Sequence, residues 1–234
     1  MQSGLTRRVV AELLGTFAFV LVGAGSAIGV QALGVSDPAS SLAVAALANG
    51  LGLGVAITAT MAVSGGSLNP AVTLALFVAR KLPVRDVVPY IVAELAGGAL
   101  AVLALVVGIP TSVGNAVRWG APGLAPEIGV SQGIFIEFLM TVVLIFAVFG
   151  TAVSRDAPKV GGFGIGIAVL VDVLFGGAFT GAAMNPARAM GPMLAALKFP
   201  SYWYVYWVGP LLASLVAGGF YRYFLEGGPD EDTR

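Results

Sequence analysis

The tripeptide Asn-Pro-Ala occurs twice in this chain, as Asn69-Pro70-Ala71 and as Asn185-Pro186-Ala187, 116 positions apart. An asparagine side chain can accept a hydrogen bond from a free backbone N–H at a helix start, and a proline in the first turn has no N–H to lose. Each copy therefore predicts the beginning of a helix. Because the surrounding sequence is strongly apolar, we expect both helices to begin inside a membrane.

The composition indicates an integral membrane protein, since 58% of the 234 residues are hydrophobic, 10% are charged and 33 are glycine. The formal net charge is zero, so no basic field exists to attract nucleic acid. The chain has no cysteine and no histidine, which excludes disulfides and catalytic sites that depend on a thiol or an imidazole. We therefore expect neither an enzyme nor a cofactor or metal site.

Six apolar segments are each long enough to cross a bilayer, which takes about 20 helical residues. They cover residues 6–32, 39–63, 83–109, 130–153, 160–179 and 201–225. The predicted fold class is therefore an all-α membrane protein with six transmembrane helices, forming a single membrane domain over residues 1–234.

Two further apolar segments, 69–79 and 185–197, start at the Asn-Pro pairs and are too short to cross. About a dozen helical residues reach roughly 18 Å, whereas the hydrocarbon core is about 30 Å thick. Such re-entrant half-helices are tolerated at membrane depth only when they are buried in protein or line an aqueous path. The sequence therefore predicts a water-filled path.

The distribution of basic residues predicts the orientation in the membrane. Only Arg118 and Lys198 flank one side of the six spans. The other side is flanked by Arg7, Arg8, Arg80, Lys81, Arg85, Arg155, Lys159, Arg222 and Arg234. Because cytoplasmic loops are enriched in Lys and Arg, this side is predicted to be cytoplasmic. We expect a multi-pass protein of the plasma membrane with both termini, including a short tail at 226–234, in the cytoplasm.

The chain is an internal duplication, because the offset of 116 that superposes the tripeptides also pairs Gly50 with Gly166 and Tyr90 with Tyr206. The first repeat covers residues 1–109 and the second covers residues 130–225, each with three spans and one half-helix. An odd number of spans per repeat gives an inverted repeat with a pseudo-two-fold axis in the membrane plane. The two half-helices are then expected to meet N-terminus to N-terminus.

These motifs together resemble the aquaporins, also called the major intrinsic proteins, over essentially the whole chain. The resemblance is carried by the segments Ser64-Gly65-Gly66-x-x-Asn69-Pro70-Ala71-Val72-Thr73, Gly181-x-x-Met184-Asn185-Pro186-Ala187-Arg188 and Tyr206-Trp207-Val208-Gly209-Pro210. It implies a passive channel for water that excludes protons and ions, and it implies a homotetramer.

The exclusion of ions can also be argued from the residues. If the side-chain oxygens of Asn69 and Asn185 cap their half-helices, both amide NH₂ groups stay free to donate to a passing water. Each helix N-terminus carries about half a positive charge, and both face the same point. Cations and hydronium therefore meet a barrier there, while neutral molecules do not.

Arg188 breaks the duplication, because its counterpart is the apolar Val72. A cation at this depth predicts a selectivity filter, whose fixed charge repels cations. The resemblance assigns Asn49, Val173 and Ala182 to the other filter positions. Strict water channels usually have an aromatic residue at the first of these and a histidine at the second, so these smaller walls indicate a wider constriction.

The solute range therefore stays open at this point, with glycerol, urea, ammonia and undissociated metalloid acids as candidates beside water. Other residues resemble the water-channel branch rather than the glycerol branch. These are Ala189, where the glycerol branch has aspartate, and the Tyr206-Trp207 pair, where it has Pro-Leu.

Two acids at matching places in the repeats, Glu12 and Glu137, are predicted to accept hydrogen bonds from the loops before the half-helices. The alternative is a proton relay, as in a secondary transporter built on an inverted repeat. Such a transporter needs an ion-binding group at the midplane, where Asn69 and Asn185 are predicted. An ion channel is disfavoured by the positive helix ends. The roles of Glu94 and Asp172 stay open.

Overall fold

The computed structural model describes residues 4–225, in which every regular element is helical. The predicted tail at 226–234 lies outside these residues. In chain order the α-helices are α1 Leu5–Ala32, α2 Pro38–Ser64, α3 Pro70–Val78, α4 Val84–Gly108, α5 Thr111–Ala116, α6 Val130–Val148, α7 Phe163–Thr180, α8 Pro186–Ala195 and α9 Val205–Phe220. Single π-helical turns, Phe149–Val153 and Tyr221–Leu225, extend α6 and α9.

Six of these helices are long and apolar enough to cross a membrane: α1, α2, α4, α6, α7 and α9. The prediction of six spans is confirmed. α7 begins at Phe163, three residues later than the apolar segment suggested, because Gly161 has a φ of +60° that breaks the helical path. The face of the domain that carries Leu5 and Leu225 is here called the terminal face, and the other the opposite face.

The two half-helices begin at the prolines of the duplicated tripeptide. The Asn69 side chain accepts a hydrogen bond from Ala71 N at 2.9 Å, and the Asn185 side chain accepts one from Ala187 N at 2.9 Å. α3 has nine residues, so it is only about 14 Å long. It ends at Val78, within two residues of a backbone turn into the left-handed region.

The packing of the helices follows an inverted repeat. α1 packs on α4 as α6 packs on α9, while each half-helix packs against the last long helix of the other half, α3 on α9 and α8 on α4. α2 and α7 cross where Gly50 meets Gly166: a Cβ built on Gly50 would lie 2.6 Å from the Gly166 carbonyl oxygen. Only glycine allows this approach, because any side chain would separate the two helices.

Candidate functional site: the meeting point of two half-helices

The half-helices meet through hydrogen bonds that cross between the repeats. Asn69 Nδ2 donates to the Met184 carbonyl oxygen at 3.0 Å, and Asn185 Nδ2 donates to the Leu68 carbonyl oxygen at 2.9 Å. The sequence-based expectation that both amide groups stay wholly free was therefore wrong. Each Nδ2 has two hydrogens, so one N–H of each asparagine remains to donate to a permeant.

The carbonyls that accept these bonds belong to strained residues that sequence reasoning missed. Leu68 has a φ of +50° and Met184 a φ of +52°, in the left-handed region that non-glycine residues rarely adopt. Both side chains are buried, with at most 1% exposed. The strain turns each carbonyl toward the other repeat. One feature of the sequence could have identified this pair: Leu68 and Met184 lie 116 positions apart, which is the offset that superposes the two repeats.

Glu137 holds the second loop from within α6. Its Oε1 accepts hydrogen bonds from Thr180 Oγ1 at 2.7 Å and from Ala183 N at 3.0 Å, and its Oε2 accepts one from Met184 N at 2.7 Å. The carboxyl is fully buried. These contacts satisfy loop N–H groups that would otherwise lack partners in the membrane, which supports the role in loop support that the sequence predicted.

Glu12 makes the equivalent contacts in the first repeat. Its Oε1 accepts from Ser67 N at 3.1 Å and its Oε2 from Leu68 N at 2.7 Å. Each acid thus accepts hydrogen bonds from two backbone N–H groups of its loop, although Glu12 and Glu137 are 125 residues apart rather than 116. This equivalence favours a structural role, because a proton relay has no need of two-fold symmetry.

One tyrosine completes the support of each loop. The Tyr90 hydroxyl donates to the Ser64 carbonyl oxygen at 2.8 Å, and the Tyr206 hydroxyl donates to the Thr180 carbonyl oxygen at 2.9 Å. Each bond satisfies the carbonyl at the end of a long helix, where the helix no longer supplies a donor. The sequence paired these tyrosines across the repeats but gave no sign of what they bind.

Arg188 lies in the first turn of α8 and is 8% exposed. Its Nη1 donates to the Gly120 carbonyl oxygen at 3.0 Å. A guanidinium has five N–H donors, so one bond to the protein leaves most of them available to other acceptors.

The three remaining candidate filter residues, Asn49, Val173 and Ala182, are all buried. Asn49 Nδ2 donates to the Ala45 carbonyl oxygen at 2.8 Å within α2, and its Oδ1 packs against Gly23 of α1. Within residues 4–225, no side-chain hydrogen bond joins Asn49 to Arg188. The assignment of these three residues to a filter remains a prediction.

A cavity of about 330 Å³ runs from Asn69 toward the terminal face, where Lys81 and Leu82 line it. Its wall is mostly apolar and includes Leu53, Ile57, Met61, Val72, Leu76, Leu144, Val148 and Ile165. A few polar groups near Asn69, such as Ser67, interrupt this wall. The cavity therefore reaches the meeting point of the half-helices from one side of the membrane domain.

Two acids of unassigned role lie near these elements. Thr73 Oγ1 of α3 donates to Glu94 Oε1 of α4 at 2.6 Å. Asp172 of α7 is 5% exposed, and its Oδ2 is buried without a hydrogen-bond partner among the described residues. Glu94 thus ties a half-helix to a long helix.

Comparison with known proteins agrees with this geometry. The family model described as "Major intrinsic protein" matches residues 1–221. The chain is 39% identical to "Aquaporin TIP4-4" of Zea mays, over 99% of this chain and 94% of that protein. It is 38% identical to "Aquaporin-8" of Rattus norvegicus, over 96% of this chain and 82% of that protein.

A solved structure also matches the fold. The X-ray structure of the aquaglyceroporin from Plasmodium falciparum superposes with a TM-score of 0.85 and covers 95% of this chain and 98% of that chain, at 23% identity. The family match over residues 1–221, together with relatives above 30% identity along nearly the whole chain, establishes that this protein belongs to the major intrinsic proteins, the family of the aquaporins.

Proposed function

We propose that this protein is a passive transmembrane channel for water. The observation that carries the proposal is the crossed pair of hydrogen bonds from Asn69 and Asn185, which holds two helix N-termini together at the inner end of the cavity. One free N–H on each asparagine can orient the oxygen of a passing water. No reaction step and no cofactor is part of this function.

Exclusion of protons and ions follows from the charge of the meeting point. The N-termini of α3 and α8 each present partial positive charge at a place where a cation has lost most of its water shell. Arg188 adds a full positive charge in the first turn of α8. A neutral molecule avoids this electrostatic barrier, so the site favours neutral permeants.

The proposed filter consists of Arg188 with Asn49, Val173 and Ala182. None of the last three is aromatic, and Val173 and Ala182 offer no side-chain hydrogen bond. Such walls support the passage of small uncharged solutes, among them urea, glycerol, ammonia and metalloid acids. We therefore extend the proposal to slow permeation by at least one of these solutes.

The proposal also covers the orientation of the channel, the membrane in which it lies and its oligomeric state. The terminal face is assigned to the cytoplasm because basic residues are concentrated on it, and the membrane is assigned as the plasma membrane. The assembly is proposed to be a homotetramer by resemblance to the family. Light scattering of the purified protein, corrected for detergent, tests the tetramer.

Stopped-flow light scattering on proteoliposomes tests the channel. We expect osmotic water flow well above that of protein-free vesicles and no proton leak in a trapped pH dye. Arg188→Val is expected to retain water flow and to raise solute uptake and proton leak. The matched control is Arg85→Val, since the Arg85 side chain is 76% exposed and lies outside the cavity.

Two outcomes contradict the proposal. Water flow equal to that of empty vesicles excludes a water channel. Solute accumulation against its gradient when a proton gradient is imposed supports a secondary transporter instead.

A further inference from the structure

We propose that Trp119 is a positioning residue: it fixes the loop whose Gly120 carbonyl holds the Arg188 guanidinium, and it thereby sets the solute selectivity of the channel. This inference rests on the proposed role of Arg188 as a filter residue. It assigns part of that role to the connection between α5 and α6, which lies between the two repeats.

The link between the loop and the filter is one hydrogen bond. Arg188 Nη1 donates to the Gly120 carbonyl oxygen at 3.0 Å. Within residues 4–225, this is the one hydrogen bond that the guanidinium makes to the protein. The long Arg188 side chain has several rotatable bonds, so the position of the Gly120 oxygen decides where its charge and its remaining donors lie.

The Gly120 carbonyl is presented by a strained turn. Arg118, Trp119 and Gly120 have φ values of +49°, +55° and +79°, three consecutive residues in the left-handed region. The first two are not glycine, so this conformation is unfavourable and persists only because the surroundings impose it. Gly120 is also pressed on α1: a Cβ built there would lie 2.8 Å from Ala24 Cα.

Trp119 supplies the constraint that keeps this turn in place. Its side chain is 2% exposed, and its indole Nε1 donates to Asn115 Oδ1 of α5 at 2.9 Å. The ring lies directly on Gly114, where a Cβ would come within 2.5 Å of Trp119 Cε3. A large buried ring with a satisfied N–H is a rigid anchor, because both its apolar surface and its donor are fixed.

The test is the ratio of urea permeability to water permeability in proteoliposomes. A variant that merely folds poorly lowers both permeabilities in proportion and leaves the ratio unchanged. Trp119→Ala is expected to raise the ratio by about 3- to 10-fold, the size expected when one typical hydrogen bond is lost. Trp119→Phe keeps an aromatic ring but loses the indole N–H. Its ratio is therefore expected to lie between that of the unmodified protein and that of Trp119→Ala.

Two further variants sharpen the test. Asn115→Leu removes the acceptor of the indole N–H at an exposed position, where folding is least at risk, and is expected to shift the ratio in the same direction. Trp203→Ala is the matched control, because Trp203 is 40% exposed and, among the described residues, no hydrogen bond or ring contact joins its side chain to the turn. Its ratio is expected to equal that of the unmodified protein.

A double mutant separates this inference from the proposed function. In an Arg188→Val background, Trp119→Ala is expected to add no further change, because the residue that Trp119 positions is already absent. An additional rise in the ratio overturns the inference. So does an unchanged ratio in both Trp119→Ala and Asn115→Leu while Arg188→Val changes it. An unchanged ratio in Arg188→Val itself instead refutes the proposed filter.

Discussion

Asn69 and Asn185 each cap their own half-helix and also hold the loop that precedes the other half-helix. Their Nδ2 atoms donate across the repeats to Met184 and Leu68 at 3.0 Å and 2.9 Å. The position of each half-helix therefore depends on the folding of the other repeat. Separation of the two tips requires the loss of both buried hydrogen bonds.

This relationship predicts that the two functions of the asparagine side chain can be separated by mutation. Asn69→Ala loses the cap and the crossed bond, so we expect the free energy of unfolding to fall by about 2–3 kcal/mol. Asn69→Ser keeps a capping oxygen but does not reach Met184, and about half that loss is expected. Unfolding in detergent measures both. Equal stability of the two variants would mean that the cap contributes nothing, and an Asn69→Ser protein as stable as the unmodified one would mean that the crossed bond contributes nothing.

The loop-supporting acids predict a loss of water flow that is specific to their hydrogen bonds. Glu137→Leu leaves Ala183 N and Met184 N without an acceptor inside the membrane, so we expect a lower unfolding temperature and much reduced water permeability per inserted molecule. Glu137→Gln retains one acceptor oxygen, so its unfolding temperature and water permeability should lie between those of Glu137→Leu and those of the unmodified protein. Glu12→Leu is the symmetry-related comparison and should behave similarly. A stable Glu137→Leu protein with full water flow would refute the supporting role.

Glu94 is expected to tolerate replacement by glutamine, unlike the loop-supporting acids. Its carboxyl is fully buried, and one of its oxygens is unpartnered among the described residues. Glu94→Gln keeps an acceptor for Thr73 Oγ1 and removes a group that is costly to ionise in the membrane. We expect unchanged water flow and an equal or higher unfolding temperature. Glu94→Leu should be less stable, because Thr73 then lacks its acceptor. Abolished flow in Glu94→Gln would indicate that the carboxyl takes part in transport.

Asp37 predicts a pH dependence at the start of α2. Its Oδ2 accepts a hydrogen bond from Ser40 N at 2.7 Å, and hydrogen bonding by the Ser40 side chain and backbone holds the pKa of Asp37 below its usual 3.8. A lowered pKa in the folded state means that the stabilisation is present above the unfolded pKa and is lost as pH falls through the folded one.

Asp37→Asn is the control for this effect, since asparagine caps a helix equally well and does not titrate in this range. Thermal unfolding between about pH 5 and about pH 2 should show the unmodified protein losing stability relative to Asp37→Asn. A constant difference across that range would exclude a titrating cap.

The number of spans and the starts of the two half-helices were predictable from the sequence. Six apolar segments of sufficient length predicted six spans, and the six spans are confirmed. The caps at Asn69 and Asn185 were predictable because a cap involves only residues two or three positions apart. The inverted repeat followed from the shared offset of 116 and the odd number of spans.

The inward faces of the long helices were not predictable, because lipid and protein interior are both apolar. Val107 is 89% exposed and Ala101 is fully buried, although both are apolar residues of α4. In a soluble helix, an alternation of polar and apolar residues would have marked the inner face. The apolar walls of the cavity were hidden from sequence analysis for this reason.

The sequence by itself determined the number of spans, the two helix beginnings inside the membrane and the family. Only the tertiary structure decided how the site is held together: the crossed asparagine bonds, the tyrosine contacts at the ends of α2 and α7, and the Gly120 carbonyl that binds Arg188. These bonds join residues 26 to 117 positions apart. Such partners are set by how packed helices place the backbone, and the residue types alone carry no record of that placement.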